Sequence, residues 1–143
     1  MRGLLDVNVL IALLDAGHVD HQRATAWLSR HVQHGWASCP LTQNGCIRIM
    51  AQPAYPRAVT AAEVAERLAL ATAEPTHEFW PADISLLDPQ TVRYDQVLGH
   101  RQITDIYLLA LAVTRGGRFV TLDRGVQTNL VPGASDRHLV IIP

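Results

Sequence analysis

At 143 residues, 48% of them hydrophobic, the chain suits one compact core and is expected to form a single domain over residues 1–143. A net charge of −1 excludes a basic nucleic-acid coat, and twelve arginines without a single lysine exclude P-loop and Schiff-base lysine chemistry. The N-terminal apolar stretch Leu4–Leu14 is broken by Asp6 and Asn8, so it reads neither as a bilayer span nor as a signal peptide, and a cytoplasmic protein without membrane association is expected.

In chain order, Gly3–Asp6 reads as a short strand and Asn8–Leu14 as a helix. Gly17–Asp20 forms a turn from which Asp20 is expected to cap a helix over 21–34. Ala24, Trp27, Leu28 and Val32 share one face of that helix, as core or dimer interface, and Gly35 ends it. Trp36–Ser38 is a short strand, followed by a helix over Leu41–Ala51 that stops before Pro53. Cys39 and Cys46 are about 10 Å apart if both are helical, too far for a disulfide, and read as reduced thiols. The two-proline segment Gln52–Arg57 reads as a substrate-facing loop.

Thr60 opens the next helix with Glu63 completing a capping box, and Val64, Leu68 and Ala71 give it an apolar stripe. Glu78–Trp80 is a strand, 83–88 a helical turn and 89–95 a short helix. Thr104 is expected to cap a helix over 105–115 that Gly116-Gly117 ends. Arg118–Leu122 and Leu139–Ile142 are the last strands. Strands alternating with helices predict an α/β fold with a parallel sheet of about four or five strands covered on both faces.

Three aspartates occupy positions where such sheets carry chemistry. Asp6 and Asp123 follow strand ends, and Asp105 starts a helix, where the positive end of the helix dipole favours a carboxylate. Distant in sequence, they can converge at one edge of the sheet. Clustered carboxylates repel one another unless a divalent cation neutralises them, and hard oxygen ligands suit Mg²⁺ or Mn²⁺. Such a cation would polarise a phosphodiester and activate a water. Asn8 and Thr121, each two residues from an acid, are placed to orient the carboxylates or a water. Taken singly, Asp105 reads equally as a helix-start residue and Asp123 as a turn residue, whereas Asp6 in an apolar segment needs a partner.

The segments carrying these residues resemble a known family. Leu4–Leu13, His18–His21 with Ala24 and Trp27, Pro40–Arg48, Ile103–Ala112 and Phe119–Asp123 match, in order, the PIN-domain ribonucleases, especially VapC toxins. The resemblance implies a three-layer PIN-like sandwich and a Mg²⁺-dependent endoribonuclease acting on structured RNA such as tRNA or rRNA. It also implies a homodimer and a cognate VapB-like antitoxin. By the same resemblance Asp6, Asp105 and Asp123 are metal ligands, the last through water.

One departure stands out: many relatives carry a glutamate early in the third helix, but residues 38–52 hold no acid. Gln43 or Asn44 is expected to fill that place, with weaker metal affinity. The loss keeps a catalytically weak or inactive module, binding RNA or antitoxin, as the alternative. Arg48 and Arg124 are the arginines expected to meet phosphate or antitoxin, or to pair with a nearby aspartate. The pairs His18/His21 and His31/His34 have i, i+3 spacing but lack the further ligands a zinc site needs. Aspartyl-phosphate chemistry at Asp6 is disfavoured, since haloacid-dehalogenase-like enzymes place a second aspartate where Asn8 stands and use a lysine.

Overall fold

The computed structural model describes residues 1–143. Five strands form one all-parallel sheet: β1 (Gly3–Leu5), β2 (Trp36–Ser38), β3 (His77–Phe79), β4 (Arg118–Thr121) and β5 (Leu139–Ile141). Their order is β3-β2-β1-β4-β5, with Leu4 in register with Ala37 on one side and Phe119 on the other. The chain builds outward from β1 to β3, then crosses back to add β4 and β5 on the other side. The order therefore reverses between β1 and β4, and α/β folds bind ligands outside the carboxyl ends of strands at such a point.

Alternation along each strand sorts the core into two layers. Leu4, Ala37 and Phe119 pack with α5 (Ile103–Thr114), together with Trp80, Val92 and Leu130. Leu5, Trp36 and Val120 face the opposite side, packing with Val9, Leu10, Trp27, Met50 and Val64. That side carries α1 (Val7–Leu14), α2 (His21–His31), α3 (Pro40–Met50) and α4 (Ala61–Thr72). The expected three-layer sandwich is the one observed. Val9, Leu10 and Ile11 are buried on α1, and each contributes about 1.5–3 kcal/mol of hydrophobic stabilisation. No helix is long and apolar enough to cross a membrane.

Local signals were followed where nothing competed with them. Gly116 (φ 67°) takes the left-handed conformation past α5, and the amides of Gly116 and Gly117 donate to the carbonyls of Val113 and Ala112. Thr60 accepts from the Glu63 amide at 3.2 Å, which is half of the expected capping box, since no reciprocal Glu63 contact forms.

Other expectations are corrected. Asp20 takes the N-cap position of α2, but its carboxylate caps no amide and accepts from Arg23 at 2.5 Å instead. Thr104 lies inside α5, which Gln102 precedes. The helical turn expected at 83–88 and the short helix expected at 89–95 are bends and turns, with only a 3₁₀ turn at Tyr94–Gln96. There the Ser85 hydroxyl and Asp88 carboxylate accept from the Leu87 and Gln90 amides, competing with helical backbone bonds.

The loop Gln52–Arg57 is anchored through its last residues. Arg57 and the Tyr55 hydroxyl both bind the buried carboxylate of Asp15, the residue after α1. That carboxylate is held well below the usual range, chiefly by Arg57. Eight residues of α1 separate it from Asp6, roughly 12 Å.

Candidate metal centre

Asp6 occupies a position defined twice over. Its amide donates to the Val120 carbonyl at 2.9 Å, continuing the β1–β4 ladder, and its backbone carbonyl accepts from Val9 and Leu10, opening α1. Its Oδ1 caps the helix by accepting from the Val7 amide at 2.7 Å. The Thr121 hydroxyl donates to Oδ2 at 2.6 Å. Burial nevertheless prevails over these bonds, and Asp6 is pushed above the ordinary carboxylate value, with a further contribution from the charge of Asp123.

Thr121 uses its full hydrogen-bonding capacity. While donating to Asp6, its Oγ1 accepts from Asn8 Nδ2 at 3.2 Å and from the Asp123 amide at 3.1 Å. Asn8 Oδ1 in turn accepts from the Leu122 amide at 3.2 Å, which fixes which end of the Asn8 amide meets Thr121. A single network therefore ties the start of α1 to the end of β4. Asp123 lies just past β4, exposed, its Oδ1 accepting from the Gly125 amide at 2.7 Å.

Asp105, in the first turn of α5, lines a small recess with Gln102, Gly125 and Val126. Its acidity is pushed down to a pKa of about 7, first by burial, then by the charges of Asp6 and Asp123, and no hydrogen bond offsets these effects. The three aspartates thus share one electrostatic site at the carboxyl ends of β1 and β4. They do not converge tightly: no group of three His, Cys, Asp or Glu side chains stands close enough to hold a metal ion directly. This donor set fits a small, hard cation that keeps several waters and takes one or two carboxylates directly, as Mg²⁺ does. It does not fit zinc, and the histidines are otherwise engaged: His21 Nδ1 meets the Ala12 carbonyl and His31 stacks on Trp27.

Beside Asp6 opens a cleft of about 510 Å³ between α1 and α3, lined also by Leu41, Asn44, Arg48 and Thr104. Of the two residues expected to replace the missing acid, Asn44 lines this cleft and Gln43 does not. Gln43 donates to the Ser38 hydroxyl at 2.9 Å, and Ser38 also meets His77 at 2.8 Å, on the side of α3 that faces α4. One residue along a helix is a 100° rotation, enough to send it to a different face. Arg48 and Arg124 are exposed and join none of the four ion pairs, which use Arg2, Arg23, Arg57 and Arg115. Sequence reasoning missed Leu41 and Thr104 as cleft residues, although 41, 44, 45 and 48 share a helical face by spacing alone. Gly45 permits the close approach of the helices, since a Cβ there would lie 2.7 Å from Val7 Cγ2.

The sheet is all-parallel with acids at its reversal point, and the family model for the PIN domain matches residues 3–129. The chain belongs to the PIN-domain family. Its relatives narrow this to VapC proteins. It is 49% identical over 142 residues to Ribonuclease VapC44 of Mycobacterium tuberculosis, covering 99% of this chain and all of that protein. It is 39% identical to Ribonuclease VapC39 of the same organism, over 93% of this chain and 96% of that protein. Two solved structures share the fold. VapBC2 from Rickettsia felis, bound to a DNA fragment from its promoter, gives a TM-score of 0.57 at 11% identity, over 86% of this chain and 89% of that one. Mycobacterium tuberculosis VapC20, a sarcin–ricin loop cleaving toxin, gives 0.57 at 16% identity, over 82% and 85%.

Proposed function

We propose that the chain is a Mg²⁺-dependent endoribonuclease, the toxin of a VapBC-type pair, that hydrolyses phosphodiester bonds in structured RNA such as tRNA or rRNA. The observation that carries this reading is the gathering of Asp6, Asp105 and Asp123 at the carboxyl ends of β1 and β4, with Asp6 and the Asp123 amide joined through Thr121. The names of its ribonuclease relatives support it. Asp6 and Asp105 hold the cation, with Asp123 acting through water, and Mn²⁺ is the natural substitute. When bound, the cation supplies charge to the phosphodiester oxygens and acidifies an attacking water.

The chain's own groups do the rest. Thr121 holds the Asp6 carboxylate in one orientation, and Asn8 holds Thr121. The positive end of α1 favours ionised Asp6, and that of α5 ionised Asp105. A cation favours them further, shifting both acids into the charged form at neutral pH.

A VapB-like antitoxin is the partner, in the cytoplasm, and the active form is a homodimer. The VapBC2 neighbour supports the pairing. The test is cleavage of tRNA and rRNA by the purified chain with Mg²⁺, with EDTA, and as Asp6→Asn. Cleavage surviving either loss would overturn the reading. The absence of any acid from residues 38–52 favours a second one, a module that binds RNA or antitoxin without cutting. RNA binding without cleavage at saturating Mg²⁺ would select it.

A further inference from the structure

The cleft beside Asp6 is asymmetric. Of its nine lining residues Arg48 is the only cation, and it comes from α3 together with Leu41 and Asn44. Spacings of three and four residues put these three on one stripe of that helix. Asn44 and Arg48 are exposed and have no hydrogen-bond or ion-pair partner within the chain, and Leu41 keeps 36% of its surface exposed. By contrast Arg2, Arg23, Arg57 and Arg115 are held in ion pairs, and Gln43, the immediate neighbour of Asn44, is bound to Ser38. Where the rest of α3 is engaged internally, this stripe presents an uncommitted guanidinium, an uncommitted amide and an apolar surface next to the acids.

Those groups match what a nucleotide strand offers. Three carboxylates repel a polyanion, so the strand needs a fixed positive charge to stay beside them. A guanidinium gives phosphate a bidentate, charge-assisted contact. A side-chain amide, carrying both donors and an acceptor, pairs with a base edge. Unpaired RNA bases exposed in loops are recognised by such edges and by stacking on aromatic side chains or guanidinium planes, and Arg48 supplies the latter.

The geometry points to the Leu41–Asn44–Arg48 stripe as the wall that recognises the RNA strand. Arg48 grips a phosphate next to the scissile one, and Asn44 chooses the base flanking the cut. This rests on the ribonuclease reading above. It divides the labour as nucleic-acid interfaces do: the phosphate contact positions the strand and the base contact specifies it.

The test uses the full chain with Mg²⁺ and a pool of hairpin oligoribonucleotides randomised in the loop, with the cut ends sequenced. Wild type, Arg48→Ala, Arg48→Lys, Asn44→Ala and Asp6→Asn are compared, with the exposed Arg67→Ala on α4 as control. Arg48→Ala raises KM about 10- to 100-fold for every loop sequence alike while kcat holds. It also makes the salt dependence shallower, by about 0.7 in slope for one lost phosphate contact. Arg48→Lys recovers part of the loss, because charge remains but the bidentate fork does not. Asn44→Ala flattens the base preference at one position beside the cut, about 5- to 100-fold in wild type. Both substituted residues are free of internal partners, so melting temperatures stay near wild type.

An unchanged KM and salt slope in Arg48→Ala, or a fall in kcat alone, would overturn the phosphate assignment. A wild type with no base preference, or an unaltered profile in Asn44→Ala, would overturn the base assignment. These failures are distinct from failure of the ribonuclease reading, which would appear as a wild type that cuts no member of the pool or as an active Asp6→Asn.

Discussion

Replacing Thr121 with valine removes one oxygen from a fully buried side chain of nearly the same shape. Three hydrogen bonds go with it: the O–H donated to Asp6 Oδ2 and those accepted from Asn8 and the Asp123 amide. A bond to an ionised group contributes about 1.5–3 kcal/mol and a neutral one about 0.5–1.5 kcal/mol. The Asn8 and Asp123 donors can turn partly to water, whereas Asp6, only 6% exposed, cannot. The expected destabilisation is therefore about 2–4 kcal/mol. For a chain of this size that lowers Tm by about 8–16 °C.

A second consequence separates this network from ordinary packing. Thr121 is the largest influence lowering the pKa of Asp6 against the effect of burial. Without it the Asp6 pKa rises further, and the acid limb of the cleavage pH profile moves to higher pH. Thr121→Ser, which keeps the hydroxyl, retains the wild-type limb. Urea unfolding and single-turnover cleavage across pH measure both effects. A Thr121→Val protein that unfolds at the wild-type midpoint with an unmoved acid limb would refute the reasoning.

Three further outcomes follow from other contacts. In EDTA, folded Asp105 keeps its proton up to a pKa of about 7 while the unfolded chain releases it near 3.8, so this group's contribution to stability falls as pH rises between those values. The Tm of Asp105→Asn should accordingly fall less than that of wild type over this interval, and Mg²⁺ should narrow the gap; parallel pH curves would contradict the placement of Asp105. Arg57→Ala leaves the Asp15 carboxylate, 5% exposed, with Tyr55 and Gly17 alone, and should lower resistance to urea at neutral pH. Because Asp15 is depressed in the fold, its contribution is present above the ordinary carboxylate range and disappears as pH falls below it, so wild type and Arg57→Ala should converge in acid urea melts. Gly45→Ala drives a methyl to within 2.7 Å of Val7, and should cost about 1–3 kcal/mol in chemical denaturation by forcing α1 and α3 apart.

Much of the architecture was legible before any coordinates. Leu4-Leu5 running into Asp6, Phe119–Leu122 running into Asp123 and the glycines at 116 and 117 carry local signals that the fold obeys. Some departures are local and others come from distant residues. Ser85 and Asp88 capture nearby amides and turn a segment expected to be helical into turns. Asp20 was taken by Arg23, and Gln52–Arg57 was taken by Asp15, a residue 40 and 42 positions from its two partners, Tyr55 and Arg57. The same limit governs the site. The acids could be nominated from their strand and helix ends, but Gln43 and Asn44 could be told apart only by the rotation of α3 against its neighbours.

By itself the sequence determined the periods, the breaks and the chemical inventory: alternating strands and helices, three carboxylates at element ends, arginines with no lysine, and no acid in residues 38–52. These are short-range properties, written in each segment's own side chains. The tertiary structure decided which segments became neighbours, because strand order and helix rotation are set by packing many distant residues at once. It put β1 beside β4, so that Asp6 meets Thr121 across 115 positions of chain. It also turned Asn44 and Arg48 into the cleft while turning Gln43 away.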